Sequence, residues 1–234
     1  MDKDLEFLTK CDNDDLKVLC DYLTEKGSLS ETLKIKNSYK ECYPNNLTAM
    51  VDDIEYEFRE FGSNTIFNIL GKTDSYKNIL CKVCDKMNVN YNKKQEVCFI
   101  EQNLLLKVLT DSVEKMGQED IDNIVKDMNL NVNIPTKEAV VAALQAGVKL
   151  GGFAVYQGAL IVANGVARAV LNRGLTIVAN QTLTKVIGVF AGPIGWAFTA
   201  VWTAIDIAGP AYRVIIPACI QIAYMRTKLN STLG

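Results

Sequence analysis

Histidine is absent from all 234 residues. That removes imidazole acid–base catalysis, the Ser-His-Asp triad and every His-ligated metal site, because imidazole is the one side chain that titrates near neutrality unperturbed. Apolar–polar alternation of useful length is missing too, so no strand is predicted. So is a secretory leader: Met1–Thr9 is charged and has no apolar stretch, and the 7 cysteines are therefore expected as reduced thiols in a cytoplasmic protein. The cations form no run and interleave with no aromatic stripe, so nucleic acid is not an expected partner. No glycine-rich segment has the spacing or the preceding strand of a phosphate loop; GVKLGG at 147–152 fails on both counts.

The second half of the chain also lacks acid. Of 27 acidic residues, only Asp206 lies beyond Glu138, and seven of the 25 basic ones do: Lys149, Arg168, Arg173, Lys185, Arg213, Arg226 and Lys228. The first 138 residues carry 18 basic against 26 acidic residues, a net of −8, and the remainder carries +6. An acidic half is thus joined to an apolar, basic one. The basic half calls for an anionic partner, either lipid headgroups or the acidic half of its own chain.

What is present is helical periodicity. Leu16, Leu19, Cys20 and Leu23 recur at helical spacing behind a cap at Asp12 or Asn13. Leu47, Met50, Val51, Ile54, Phe58 and Phe61 line one face of a helix over 47–61, with Asp52, Asp53, Glu55, Glu57 and Glu60 on the wet side and Gly62 as an αL C-cap. Further helices are predicted over 64–70, 74–87, 96–116 and 120–128. The carboxylates Glu96, Glu101, Asp111, Glu114, Glu119, Asp120 and Asp122 are read as solvated surface. Cys81 and Cys84 form a C-x-x-C pair, but zinc needs four ligands and a thioredoxin-like site needs a βαβ setting; neither is available, so two small hydrophobes on a buried face are expected. No metal, cofactor or enzymatic activity is expected.

The expected architecture is all-α: an acidic helical bundle over 1–128, a linker over 129–138 containing NLNVNIP, and apolar helices over 139–234. Most of the 15 glycines fall in this last region. Ala139, Ala143, Gly147 and Gly151 recur at every fourth position, as do Ala159, Ala163 and Ala167, and such ridges let helix backbones approach closely. Val186–Ile205 is free of charge; a bilayer core needs about 20 such residues to be crossed. Asp206 follows, and then a second apolar run to Met225, broken only by Arg213. Together they form a hydrophobic hairpin. Gly192-Pro193, Gly209-Pro210 and Pro217 punctuate it and are expected to bend it, Gly188, Gly192, Ala200, Ala204 and Ala208 repeat the small-residue ridge, and Trp196, Trp202, Tyr212 and Tyr224 are placed to anchor at an interface. Asp206 and Arg213 sit two helical turns apart. They are expected to pair, either as an ordinary hairpin-tip pair or as a lock that opens at a membrane.

AYRVIIPACIQIAYMR over 211–226 resembles the C-terminal signature of the YaaW-like family of bacterial proteins. DLEFL at 4–8, Cys11 and EFREFGSNTI at 57–66 are similar to that family as well. The resemblance places Phe61, Gly62, Pro210, Tyr212, Arg213 and Pro217 at motif positions. It brings a remote link to ubiquinol–cytochrome c reductase assembly chaperones and implies no activity. Taken together, these features lead to the expectation of a cytoplasmic protein that associates with the inner membrane. Its partner is anionic lipid, its apolar hairpin inserts into or perturbs the bilayer, and a pore-forming homo-oligomer is held by the small-residue ridges. The logic is that of colicin-like pore formers, by analogy alone. The alternative is a soluble chaperone-like assembly factor that receives apolar client helices.

Overall fold

The computed structural model describes residues 1–24, 32–63, 73–150, 153–176, 181–205 and 211–233, with the backbone alone for 149, 150, 153, 197–205, 232 and 233. The fold is all-α, and no strand occurs among the described residues. A 3₁₀ turn at Glu6–Lys10 leads into α1 (Asn13–Thr24), α2 (Thr32–Ile35) and α3 (Asn37–Cys42); a second 3₁₀ turn at Leu47–Met50 runs into α4 (Val51–Ser63). Then follow α5 (Tyr76–Lys86), α6 (Val97–Glu114), α7 (Gln118–Asp127), α8 (Lys137–Leu150), α9 (Phe153–Leu171), α10 (Gln181–Ile205) and α11 (Tyr212–Leu233). The helix expected over 64–70 lies outside the described residues.

Local chemistry sets the helix ends. Asp12 caps α1 by accepting from the Asp15 N–H at 3.0 Å, and the Ser75 hydroxyl does the same for Asn78 at the start of α5. The exits of α5 and α7 are Schellman motifs built on asparagine. Asn88 has φ 53° and Asn129 has φ 50°, with Val89 N–H donating to Cys84 O and Leu130 N–H to Val125 O. Asparagine tolerates the left-handed region better than most residues, which is why it serves where glycine is missing.

Gly62 does another job than the one expected of it. It lies inside α4 and is buried, and a Cβ added there would stand 2.5–2.8 Å from three side-chain carbons of Ile79 on α5. It permits a close helix approach and does not end the helix. Gly165 does the same for α9 and α10: its added Cβ would meet Ile194 Cδ1, Cγ2 and Cβ at 2.6, 2.9 and 3.0 Å. On α9 the predicted ridge is buried, with Ala159, Ala163 and Ala167 each 1% exposed. On α8 the corresponding residues Ala139, Ala143 and Gly147 are only half-buried; Val140 and Leu144 face inward instead. Gly151 lies outside the described residues.

The apolar helices stack in layers. α9 lies between α10 and α11, so the two arms of the expected hairpin flank a third helix and scarcely meet among the described residues. α11 then continues the stack onto α1, α4, α5 and α6. Every residue from Val214 to Met225 is buried, including Pro217. Each fully buried large aliphatic side chain in this segment contributes about 1.5–3 kcal/mol to the core. A single apolar core runs from Leu5 to Met225. The prolines leave both helices unbroken: Pro193 lies inside α10 and Pro217 inside α11.

Candidate functional site: a polar latch and an uncovered helix face

α11 enters the acidic N-terminal helices carrying three polar groups that find partners there. The first is Arg226. Its Nε donates to both Glu101 oxygens, at 3.1 and 2.8 Å, and its Nη2 donates to Asp4 O at 2.5 Å. Its guanidinium also stacks 4.1 Å from the centre of the Phe7 ring. Glu101, only 2% exposed, accepts in addition from the Tyr76 hydroxyl at 2.7 Å. Burial raises the Glu101 carboxyl above the ordinary range, and the guanidinium opposes that rise. This residue was expected on the wet surface. It was legible, however, because Glu101 falls in register with Leu105, Val108 and Ser112, all buried on α6. Glu55 and Glu57 were likewise expected to be wet and are 5% and 2% exposed. Glu55 accepts from Asp2 N–H and Arg59, and Glu57 from the Thr32 hydroxyl.

The second group is Lys228, whose ammonium bridges Asp12 at 2.6 Å and Asp15 at 2.7 Å. The third is Gln221, fully buried, which donates to Asp15 O at 3.1 Å. A further tie joins the loop after α9 to α1: Arg173 pairs with Asp21, which also takes Lys17 and the Tyr43 hydroxyl. Three cations of the basic half are therefore neutralised by the acidic half of the same chain. That is one of the two anionic partners its charge called for.

Asp15 gives this latch a pH dependence. Burial raises its carboxyl to about 6 against the ordinary 3.8, outweighing Lys228, which it shares with Asp12. A carboxyl raised in the fold binds its proton more tightly folded than unfolded, so stability rises as pH falls from above 6 toward 4. Glu101 works in the same direction. Asp12 is lowered and opposes them only at more acidic pH, below its ordinary value. The melting temperature should therefore climb between pH 7 and pH 5, and Asp15→Asn should flatten that climb; a fall in the wild type over this range would contradict the assignment.

The two cysteines of the C-x-x-C pair differ in burial, with Cys81 half-buried on α5. Cys84 is buried, burial pushes its thiol up to about 12, and both cysteines are unbridged. Among the described residues no three Cys, Asp or Glu side chains converge to hold a metal ion.

The second feature is the outer face of α10. Gly188, Gly192 and Gly195 each have open space where a Cβ would stand, and Gly188 and Gly192 are exposed. Trp196 continues this face with 72% of its surface in solvent, beside the half-buried Pro193. The opposite face of the same helix carries Val186, Ile187, Phe190 and Ile194 into the core. Of the remaining predicted residues, Tyr212 is half-buried, with Lys86 5.9 Å from its ring centre, and Arg213 is exposed. Asp206, Pro210 and the side chain of Trp202 lie outside what is described. The sequence-predicted set is thus divided: Gly188, Gly192 and Trp196 face outward, while Pro217 and Tyr224, the latter expected at an interface, are sealed in the core. Among the described residues, one helix is long and apolar enough to cross a membrane by length and composition. It is α9, over Ala154–Leu171, and 61% of that stretch is buried in the protein.

Comparison with known proteins completes the picture. A UPF0174 protein of Helicobacter pylori strain J99 is 43% identical over 97% of this chain and 92% of its own length. The chain belongs to the UPF0174 family. A second UPF0174 protein, from Helicobacter pylori strain 26695, is 36% identical over 87% of this chain and 100% of its own. The UPF0174 protein YaaW of Escherichia coli K12 is 29% identical over 99% of this chain and 96% of its own, which bears out the YaaW-like resemblance. Residues 1–28 match a domain described as a domain of unknown function, DUF3944. These residues hold Asp4, Phe7, Asp12 and Asp15, which receive the latch together with Glu101 of α6. No solved structure matches the chain.

Proposed function

We propose that this UPF0174 protein is a cytoplasmic, membrane-associating helical protein that docks on an anionic bilayer through the outer face of α10. The single observation that carries this reading is Trp196. Its indole, 72% exposed, continues the face of Gly188 and Gly192 and is the largest apolar group that α10 turns to solvent among the described residues. It suits the headgroup boundary, where an indole ring buries its body and keeps its N–H wet. The polar latch keeps α11 inside the protein, so the docking element is α10, lying on the surface, and not a pair of helices that leaves the fold. A pore-forming oligomer would be a later stage of the same reading, assembled through Gly188 and Gly192.

Flotation with phosphatidylglycerol-containing vesicles tests it. In Trp202→Phe, Trp196 is the remaining indole of the 2 in the chain. Its emission should shift to shorter wavelength when vesicles are added, and Trp196→Ser should cut co-flotation. Protein that stays at the bottom of the gradient at every vesicle charge, with unmoved emission, ends the proposal.

One observation favours a second reading, the chaperone-like one. An open groove of about 530 Å³ runs between the 131–136 segment and α8, lined by Ala139, Ala142, Ala143 and Ile134, the last 72% exposed. A client helix from a membrane protein would fit small residues of this kind. Crosslinking from residue 142 to one defined client, with no response to vesicles, would favour it over docking on lipid.

A further inference from the structure

A cavity of about 320 Å³ opens where the N-terminal segment, α5, α6 and α11 meet. Four cations line it: Lys3, Lys77, Lys94 and Arg226. They come from four separate stretches of the chain, so the fold gathers them and no basic run in the sequence announces them. Lys3 and Lys94 make no ion pair among the described residues, and Lys77 donates to a neutral acceptor, Gln95 O, at 2.7 Å. Arg226 also lines the cavity; it uses Nε and Nη2 on Glu101 and Asp4 O, and its Nη1 has no acceptor among the described residues. The first turn of the 18-residue α6 forms another part of that wall. No side chain caps it, so its dipole adds to the positive potential.

Two carboxylates, Asp4 and Glu96, share the lining. With Glu101 committed to Arg226, four cations face three carboxylates, and the site is left with about one positive charge. That balance is wrong for a polyphosphate and right for a single phosphate ester. The carboxylates repel a bare anion but accept hydrogen bonds from hydroxyl groups attached to one. We infer that this cavity binds a phosphate ester of a polyol, of the phosphoglycerol type, with Lys3, Lys77, Lys94 and the Arg226 Nη1 edge on the phosphate and Asp4 and Glu96 on the hydroxyls. The guanidinium supplies the planar donor edge that phosphate oxygens match, and the lysines add mobile point charges. The same chemistry occurs in free glycerol phosphate and in a phosphatidylglycerol headgroup. The inference does not rest on the bilayer reading, since this cavity and the α10 face are separate surfaces.

Titration calorimetry on the full chain at low ionic strength tests it, because screening at high salt would blunt lysine contributions. The probes are glycerol 3-phosphate, inorganic phosphate and glycerol. Arg226 is left in place because its loss endangers the fold. The variant is Lys3→Gln/Lys77→Gln/Lys94→Gln, with Lys93→Gln as control, since Lys93 pairs with Asp85 at 3.0 Å and does not line the cavity. Glycerol 3-phosphate should bind more tightly than inorganic phosphate, and glycerol should not bind. The triple variant should lose affinity by about tenfold or more, with unchanged circular dichroism, and the control by less than about twofold. No saturable binding of either phosphate compound up to roughly 10 mM, or equal binding by the triple variant, overturns the site. The source is settled by adding vesicles. If phosphatidylglycerol vesicles displace glycerol 3-phosphate and phosphatidylcholine vesicles do not, the headgroup occupies the cavity. If neither displaces it, the site stands as one for a free phosphate ester, and the bilayer reading is judged on Trp196 alone.

Discussion

Arg226→Leu should cost about 3–5 kcal/mol of folding free energy at neutral pH, the range for stripping one partner from a buried ion pair. The cost falls on Glu101. With the guanidinium gone, a carboxylate 2% exposed keeps, among the described residues, only the Tyr76 hydroxyl. It must then either take a proton or draw water into the core. The loss should therefore shrink on acidification, because the orphaned carboxyl titrates at a still higher pH than it does beside arginine. The reciprocal change, Glu101→Gln, should cost less. Arg226 is the more open member, with 17% of its side chain exposed against 3% for Glu101, and it borders two cavities through which water reaches it. Pairing Arg226→Leu with Glu101→Leu should recover much of the loss, since two apolar groups of suitable shape replace the pair without stranding a charge. Urea denaturation of the four proteins gives the coupling energy. A single-mutant loss under about 1 kcal/mol would mean that Glu101 is hydrated in the native protein and that the latch is not closed as described.

The same pair shows where sequence reasoning reaches and where it stops. Helices over 47–61, 74–87, 96–116 and 120–128 were visible because apolar residues at helical spacing must share a face, and α4 to α7 follow within a few residues. Periodicity says which face is buried but not what it meets. Glu101 lay on the buried stripe of α6, yet its partner Arg226 is 125 residues away in the sequence. A carboxylate is read as wet until a cation is known to face it. Gly62 failed for a similar reason. A glycine at the end of a periodic stretch is equally suited to an αL cap and to a close crossing, and only Ile79 on the neighbouring helix decides between them. The apolar tail was legible as unusual, but its partner was not. Composition cannot distinguish a helix that faces lipid from one that faces α1, α4 and α6, because both need the same apolar residues. In the fold the stretch from Val214 to Met225 on α11 is sealed inside, and α10 carries Trp196 outward to solvent.

That division makes the α9–α10 crossing the place to test what α10 is for. Gly165→Val should force α10 away from α9. The new Cβ would lie 2.6–3.0 Å from Ile194, and the nearest three atoms include Ile194 Cβ, which no rotamer change can move. Overpacking of this kind costs about 1–3 kcal/mol. Here it should be spent locally, because α11 reaches the N-terminal helices through contacts that do not pass through α10. Hydrogen exchange should accelerate along α10 around Leu183–Ile194, while α6 and the buried stretch of α11 keep their protection. Adding Ile194→Ala to Gly165→Val should restore part of the protection of α10, since it removes the contacts at 2.6 and 2.9 Å and leaves the Cβ contact at 3.0 Å. If bilayer docking is the work of α10, the loosened variant should co-float with anionic vesicles more strongly than the wild type, and the double variant should move back toward the wild-type level. Exchange that does not change on α10 would show that the crossing at Gly165 is not what holds it down. Faster exchange with no gain in flotation would leave the helix free to reach a bilayer and yet not bound to it, and the membrane reading would fail on its own terms.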